Sequence, residues 1–391
     1  IGEAGEDVYS VSDDKRVFVY DTSVRAVAPG KIKWKKKFDT LTHKYRPRSY
    51  QYSSHMPVIL PGYNPDDGVF LGGGVTLTKQ KWGHAPFAQQ HFIAGNYAFQ
   101  TGAWNFLYDG LFTKAIGGWD AHIGIKLNQP NYILNFYGLG NNTELTTDDR
   151  DFNRVRVKQA LARTGIQKAV RRHFFLLEAE YLSTKVESLD KRFVFVGNSA
   201  IDSSDFESTN WFGGVAGYTF STIDNARFPS KGITFNTNIR YLYSKQQLDH
   251  LWNNESNFSF FIPIGTLVFG SRVGGAALSG NPQFFQYNQL GGTVNLRGYR
   301  RSRFAGKFSF YNNNELRIPI TNITGYIIRG KFGLTLFCDN GRVWMPNEDS
   351  NKWHVGYGGG LWIIPFGRIA FTAHYGIGEE NIVTVRTGFL F

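Results

Sequence analysis

Cys338 is the only cysteine in this 391-residue chain. An intramolecular disulfide is therefore impossible, and so is a cysteine metal cluster. Proline is sparse at 13 residues, and no apolar run reaches the length of about eighteen residues that a membrane-crossing helix needs. That rules out a conventional transmembrane helix in these residues but not a membrane barrel, whose strands need only about 9–11 residues and hide their hydrophobicity by alternation. The chain opens on Ile1 with no basic-then-apolar leader, so it reads as a mature product or a fragment.

Signatures of catalysis are missing too. No HExxH, CxxC, GxSxG or Walker pattern occurs, and the nine histidines show no metal-ligand spacing. Gly72, Gly73 and Gly74 lie within a strand pattern and not before a helix, which argues against a phosphate loop. Asp148, Asp149 and Asp151 cluster in a polar stretch that reads as a solvated or ion-binding loop. No enzyme, metal or cofactor is expected. The net charge of +12 favours an anionic neighbour, but the cations are dispersed and no nucleic-acid-binding motif is present.

Aromatics and glycine are abundant, with 34 Phe, 20 Tyr, 9 Trp and 44 Gly. Aromatic strands punctuated by glycine turns give that profile. In "ITFNTNIRYLY" (233–243), Ile233, Phe235, Thr237, Ile239, Tyr241 and Tyr243 share one face, and Thr234, Asn236, Asn238 and Arg240 the other. A period of two means a strand with one greasy and one wet side. Phe175, Leu177, Ala179 and Tyr181 oppose Glu178 and Glu180 in the same way. At the end of the chain Val383, Val385, Thr387, Phe389 and Phe391 oppose Thr384 and Arg386.

Sixteen strands are expected, near 68–79, 89–100, 102–112, 118–127, 131–137, 154–165, 172–184, 210–222, 232–244, 256–264, 266–278, 306–318, 326–339, 352–363, 367–377 and 382–391. Short turns alternate with long polar loops at 138–153, 185–209, 245–255 and 279–305. An even strand number puts both barrel ends on the turn side, as in outer-membrane barrels. The fold class is therefore all-β, an antiparallel membrane barrel spanning 67–391. Residues 1–66, with the basic stretches 31–37 and 44–52, read as an N-terminal extension or linker. They are either a solvated connector or a segment lying against anionic headgroups.

Two late stretches carry more than architecture. "NLRGYRRSRFAGK" (295–307) holds Leu296, Arg297, Gly298, Tyr299, Arg303, Phe304 and Gly306, and about forty residues on "GLTLFCDNGRV" holds Gly333, Phe337, Asp339 and Gly341. Together they resemble the two signature motifs of the outer-membrane barrel superfamily that contains the BamA and TamA assembly factors, the two-partner secretion translocators and the bacterial surface antigen family. The resemblance implies that loop 279–305 folds into the lumen, its first motif facing the second on the strand wall. It further implies a place in the bacterial outer membrane, contact with lipid and lipopolysaccharide, protein partners in a complex, and unfolded outer-membrane proteins as clients.

Alternation agrees with the inward wall. Gly333, Thr335, Phe337 and Asp339 share one face of their strand, opposite the apolar set Phe332, Leu334, Leu336 and Cys338. Arg297 with Asp339 is the leading ion pair, with Glu315 a third member and Arg317 able to join; the competing reading has the loop arginines gripping phosphorylated glycolipid outside. Phe389 and Phe391 resemble a C-terminal assembly signal, although Arg386 stands where that signal usually has glycine. Gly72, Gly73 and Gly74 in the expected first strand and Gly388 in the last mark a weak seam. The function expected is assembly, insertion or translocation of outer-membrane proteins or lipids. The alternatives are a passive pore, a structural barrel in a larger complex, or the barrel of a longer phosphoesterase-type protein.

Overall fold

Alternating side chains on residues of high β propensity give strands with two unlike faces, and closing such strands into a ring leaves the polar face inside. The computed structural model describes residues 52–391 except 65–67, 82–83, 85, 146–151, 188–192, 194–205, 327–328, 347 and 368–369. The first half of the ring comprises β1 (Ser54–Asn64), β2 (Gly68–Lys79), β3 (Gln89–Ala98), β4 (Trp104–Ile116), β5 (Trp119–Asn135), β6 (Arg154–Val170), β7 (His173–Val186) and β8 (Thr209–Ser221). The second half comprises β9 (Gly232–Ser244), β10 (Asp249–Ile264), β11 (Leu267–Ser279), β14 (Phe308–Thr324), β15 (Arg329–Trp344), β16 (His354–Pro365), β17 (Phe371–Ile377) and β18 (Asn381–Thr387). Between β11 and β14, two short strands, β12 (Asn288–Leu290) and β13 (Phe304–Gly306), form a separate hairpin.

All sixteen wall strands pair antiparallel in chain order. The number matches expectation, but two assignments change. Residues 118–127 and 131–137 belong to one strand, β5, whose register shifts against β6 between Asn128 and Tyr132; the shift interrupts the alternation and so reads as a break. The first wall strand is Ser54–Asn64, so the barrel starts before the expected boundary at 67, and Gly72, Gly73 and Gly74 lie on the second strand. Prolines at 57 and 61 disguise β1, and proline is compatible with an edge strand. The basic stretches at 31–37 and 44–51 lie outside the described residues, as do Asp148, Asp149 and Asp151.

The two rims differ as expected. Turns such as 117–118, 171–172 and 265–266 share one rim with the end of β18, while 136–153, 187–208 and 280–307 share the other. The segment 224–232 forms one of the turn-side connections, where the Asp224 carboxylate accepts from the Ser230 and Lys231 backbone N–H groups at 2.8 and 3.1 Å. The loop expected at 245–255 shrinks to 245–248, because β10 begins at Asp249.

Leu177, Leu336, Leu361, Tyr375 and Val383 are exposed on the outside, as a lipid-facing wall requires. Inside, polar side chains satisfy one another. Glu180, 3% exposed, accepts from Arg163 Nε at 2.8 Å and pairs with Arg240, and Glu178 accepts from His122, whose other ring nitrogen meets Asp109 at 3.0 Å. Phe136, Val155, Val157 and Val186 close the loop-side end with Phe284.

The end of the chain departs from expectation. Alternation put Phe389 and Phe391 on the outer face with Val383 and Val385. Gly388 instead adopts φ +87° and turns the chain inward. Phe389 then packs with Trp362, Ile364 and Ala370, and the Arg317 guanidinium lies 4.0 Å from its ring centroid. Left-handed backbone costs an L-residue about 1–2 kcal/mol. Gly388→Val should therefore lower the midpoint of heat-modifiable migration on gels, whereas Val385→Ile, at a position that is already β-branched, should leave it unchanged.

Candidate functional site

The loop 280–307 reaches its position through successive anchors. Phe284 in a single 3-10 turn seats in the loop-side core, and the β12–β13 hairpin follows. Leu290, Leu296, Tyr299 and Phe304 then pack with Tyr311 of β14 and Val343 of β15. Asn295 accepts from the Gly291 N–H at 2.9 Å and donates to the Gln289 carbonyl at 2.9 Å, which closes the turn that presents Arg297.

Arg297 points at the β14–β15 wall and is 4% exposed. Its Nε donates to Asp339 Oδ2 at 2.7 Å and its Nη2 to Oδ1 at 2.8 Å, while Nη1 reaches Glu315 Oε2 at 2.9 Å. The backbone N–H of Arg297 adds a bond to Asp339 Oδ2 at 3.1 Å. Glu315 in turn accepts from Arg317 Nε at 2.8 Å, and Arg317 Nη2 donates to the backbone oxygen of Phe391 at 2.8 Å. Two cations and two carboxylates thus form a neutral chain from loop tip to C-terminal tail. Burial alone would lower the affinity of Arg297 for its proton, but the bonds and charges of Asp339 and Glu315 outweigh it and raise its pKa. The guanidinium also lies over the Phe337 ring, 3.7 Å from its centroid.

Backbone contact at the tip depends on glycine. Gly298 has φ +86°, and a Cβ there would sit 2.7 Å from the Ile377 carbonyl carbon and oxygen. Gly356 on the inner face of β16 leaves room for the Arg297 carbonyl, and Gly376 for the Gly298 N–H. Gly341 clears Leu290, Gly306 clears the Trp344 carbonyl, and Gly333 clears the Trp362 ring. The motif residues expected from sequence therefore fall into two groups. Leu296, Arg297, Gly298, Tyr299, Phe304, Gly306, Phe337, Asp339, Gly341 and Glu315 meet at the loop–wall contact, whereas Gly333 serves packing further towards the turns.

A model of the Omp85 superfamily domain matches residues 113–391. The chain belongs to the Omp85 superfamily. No curated protein matches it in sequence. Among solved structures, BamA from Haemophilus ducreyi lacking POTRA domains 1–3 aligns at TM-score 0.63 and 14% identity, covering 86% of this chain and 70% of that one. CdiB from Escherichia coli aligns at 0.54 and 14% identity, covering 86% and 62%. CdiB from Acinetobacter baumannii aligns at 0.52 and 12% identity, covering 85% and 58%, so this chain spans about three fifths of the CdiB length. It is an outer-membrane protein of Gram-negative bacteria.

Other contacts of this Omp85 loop were not foreseen. Arg300 and Arg303 reach the 378–380 hairpin: Arg300 Nε meets Glu380 Oε1 at 2.6 Å, and Arg303 Nε meets Glu379 Oε2 at 2.5 Å. Arg303 also donates to the Thr143 hydroxyl and carbonyl at 2.7 Å each. Tyr299 donates to the Val355 carbonyl at 3.2 Å, and burial together with the Glu379 charge raises its pKa. The adjacent Glu379-Glu380 pair was the available signal, two carboxylates in a short connection matched to arginines three residues apart.

Arg386, the departure from the C-terminal pattern, donates to the Thr293 carbonyl at 2.9 Å, and Arg272 donates to Asn313 at 2.7 Å as well as to the Val294 carbonyl. Between the tip and β17–β18 lies a cavity of about 230 Å³, lined by Arg297, Gly298, His374 and Thr384 among others. Among the described residues, no group of three or more His, Cys, Asp or Glu side chains converges as a metal site.

Removing one member of a buried ion pair costs about 3–5 kcal/mol, because the partner charge stays buried. Asp339→Asn should release the loop, read as faster protease cleavage within 280–307 on intact cells, with the barrel still heat-modifiable. Unchanged cleavage would mean that the pair does not hold the loop. Gly298→Val should give the same phenotype by steric exclusion, without altering any charge.

Proposed function

We propose that this barrel inserts or translocates outer-membrane components, proteins foremost, by opening where its first and last strands meet. The observation that carries the reading is the pairing at that seam. Every other neighbouring pair of wall strands forms an extended ladder, whereas β1 and β18 share the single pair Tyr63↔Val385. Unpaired N–H and C=O groups on a strand edge are a template for another strand. Turning the tail inward at Gly388 ends β18 early and so leaves that edge of β1 uncovered towards the turn-side rim.

Glycine softens the neighbouring contact as well. Gly72, Gly73 and Gly74 pair with Leu60, Ile59 and Val58, so β1 leans on a partner short of side chains. Leu290, Leu296 and Phe304 bring apolar bulk into the loop-side lumen, which favours this reading over a passive pore. The role is one of strand templating, with no bond made or broken by the protein. Contact with outer-membrane lipid and with unfolded clients belongs to the same proposal.

A disulfide between cysteines at Tyr63 and Val385, with Cys338→Ser to prevent mispairing, should lock the seam. Client insertion into proteoliposomes should fall to background when the bond is oxidised and return on reduction. Full activity in the locked, correctly folded barrel would overturn the mechanism.

A further inference from the structure

The two rims of the barrel differ in charge as well as in connection length. On the turn-side rim the described residues include Lys79, Lys168, Arg171, Arg172 and Lys231. The carboxylates nearby, Asp120 and Asp224, are turned to their own backbones: Asp120 accepts from the Lys114 N–H at 2.7 Å, and Asp224 from the Ser230 and Lys231 N–H groups. They keep their charge but are outnumbered by these cations. The loop-side rim interleaves both signs, with Glu207, Lys245, Asp249, Glu348, Asp349 and Lys352.

Position relative to the apolar belt decides what these cations can meet. Lys168 pairs across the strands with Phe175, which is exposed on the outer face, and its Nζ lies 5.2 Å from the Trp119 ring centroid. Arg171 and Arg172 form the exposed turn that follows, next to exposed Val170. Ile116 and Ile264 carry the exposed apolar surface up to the neighbouring turns. A long cationic side chain at the edge of an apolar belt lays its stem on lipid and its charge among headgroups.

We propose that the turn-side rim is a binding collar for anionic phospholipid headgroups in the leaflet it faces. Short turns face the periplasm in outer-membrane barrels, so that leaflet is the inner one. An acidic protein is the less favoured occupant, because the cations rise from the same outward face as the lipid-contacting residues.

The test uses the full chain in proteoliposomes carrying trace spin-labelled phosphatidylglycerol or phosphatidylcholine, with the motionally restricted fraction giving their relative association constant. A cation near an anionic surface is worth roughly a fivefold preference. The native barrel should therefore favour phosphatidylglycerol by roughly that factor or more, and the preference should vanish in about 1 M salt, where the Debye length is about 3 Å. The variant Lys168→Gln/Arg171→Gln/Arg172→Gln, confirmed as folded by heat-modifiable migration, should lose most of it, and Lys352→Gln on the other rim should keep it. An absent preference in the native barrel, an undiminished one in the triple variant, or an equal loss in Lys352→Gln would each overturn the proposal. So would salt-sensitive capture of an acidic protein by the native barrel in neutral lipid that the triple variant lacks, which would assign the rim to a protein.

Discussion

The buried fork of Arg297 between Asp339 and Glu315 is the constraint on which the lumen is organised. A guanidinium so nearly removed from water is tolerable only if every strong donor finds an oxygen and the charge is matched. Asp339 takes two donors in the planar geometry that a carboxylate offers, and Glu315 takes the third. That fixes the loop tip against two adjacent strands. Backbone can then approach the wall closely, and the glycines at 298, 356 and 376 follow as the residues that permit it.

Arg317 extends this logic to the other end of the lumen. Glu315 cannot be neutralised by Arg297 alone, because Arg297 already answers Asp339. Arg317 supplies the missing charge, and its remaining donors reach the Pro229 carbonyl and the Phe391 backbone oxygen. The loop entering from one rim and the tail entering from the other are thus tied to the two oxygens of one carboxylate. Movement of the tail away from the lumen must break the Arg317 hydrogen bond to Phe391 and the ring contact with Phe389.

Much of this was legible in the residues. Period-two alternation identifies which side chains face the lumen, and a carboxylate at Asp339 on that face needs a cation from somewhere. What alternation cannot convey is a change of direction. Phe389 and Phe391 sit in perfect alternation with Val383 and Val385, and only the positive φ at Gly388 sends them inward. The β5 irregularity near 128–132 misled in the same way, since one shifted register resembles a chain break. Contacts between loops have no periodicity at all, so the pairing of Arg300 and Arg303 with the 378–380 hairpin was visible only as charge of opposite sign far along the chain.

The inward tail also bears on why a seam exists in a barrel at all. A strand that continued to Phe391 along the wall would offer β1 more partners and expose two phenylalanines to lipid, which lipid accepts. Burying Phe389 against Trp362 and under Arg317 supplies an alternative well for the same residues. The inward placement gains the Arg317 hydrogen bond and ring contacts and forgoes ladder hydrogen bonds to β1. With the tail inward, β1 and β18 share the one pair Tyr63↔Val385, while the other fifteen strand contacts of the ring remain extended ladders. Because Arg317 holds the inward tail and shares Glu315 with Arg297, tail and loop meet at one carboxylate.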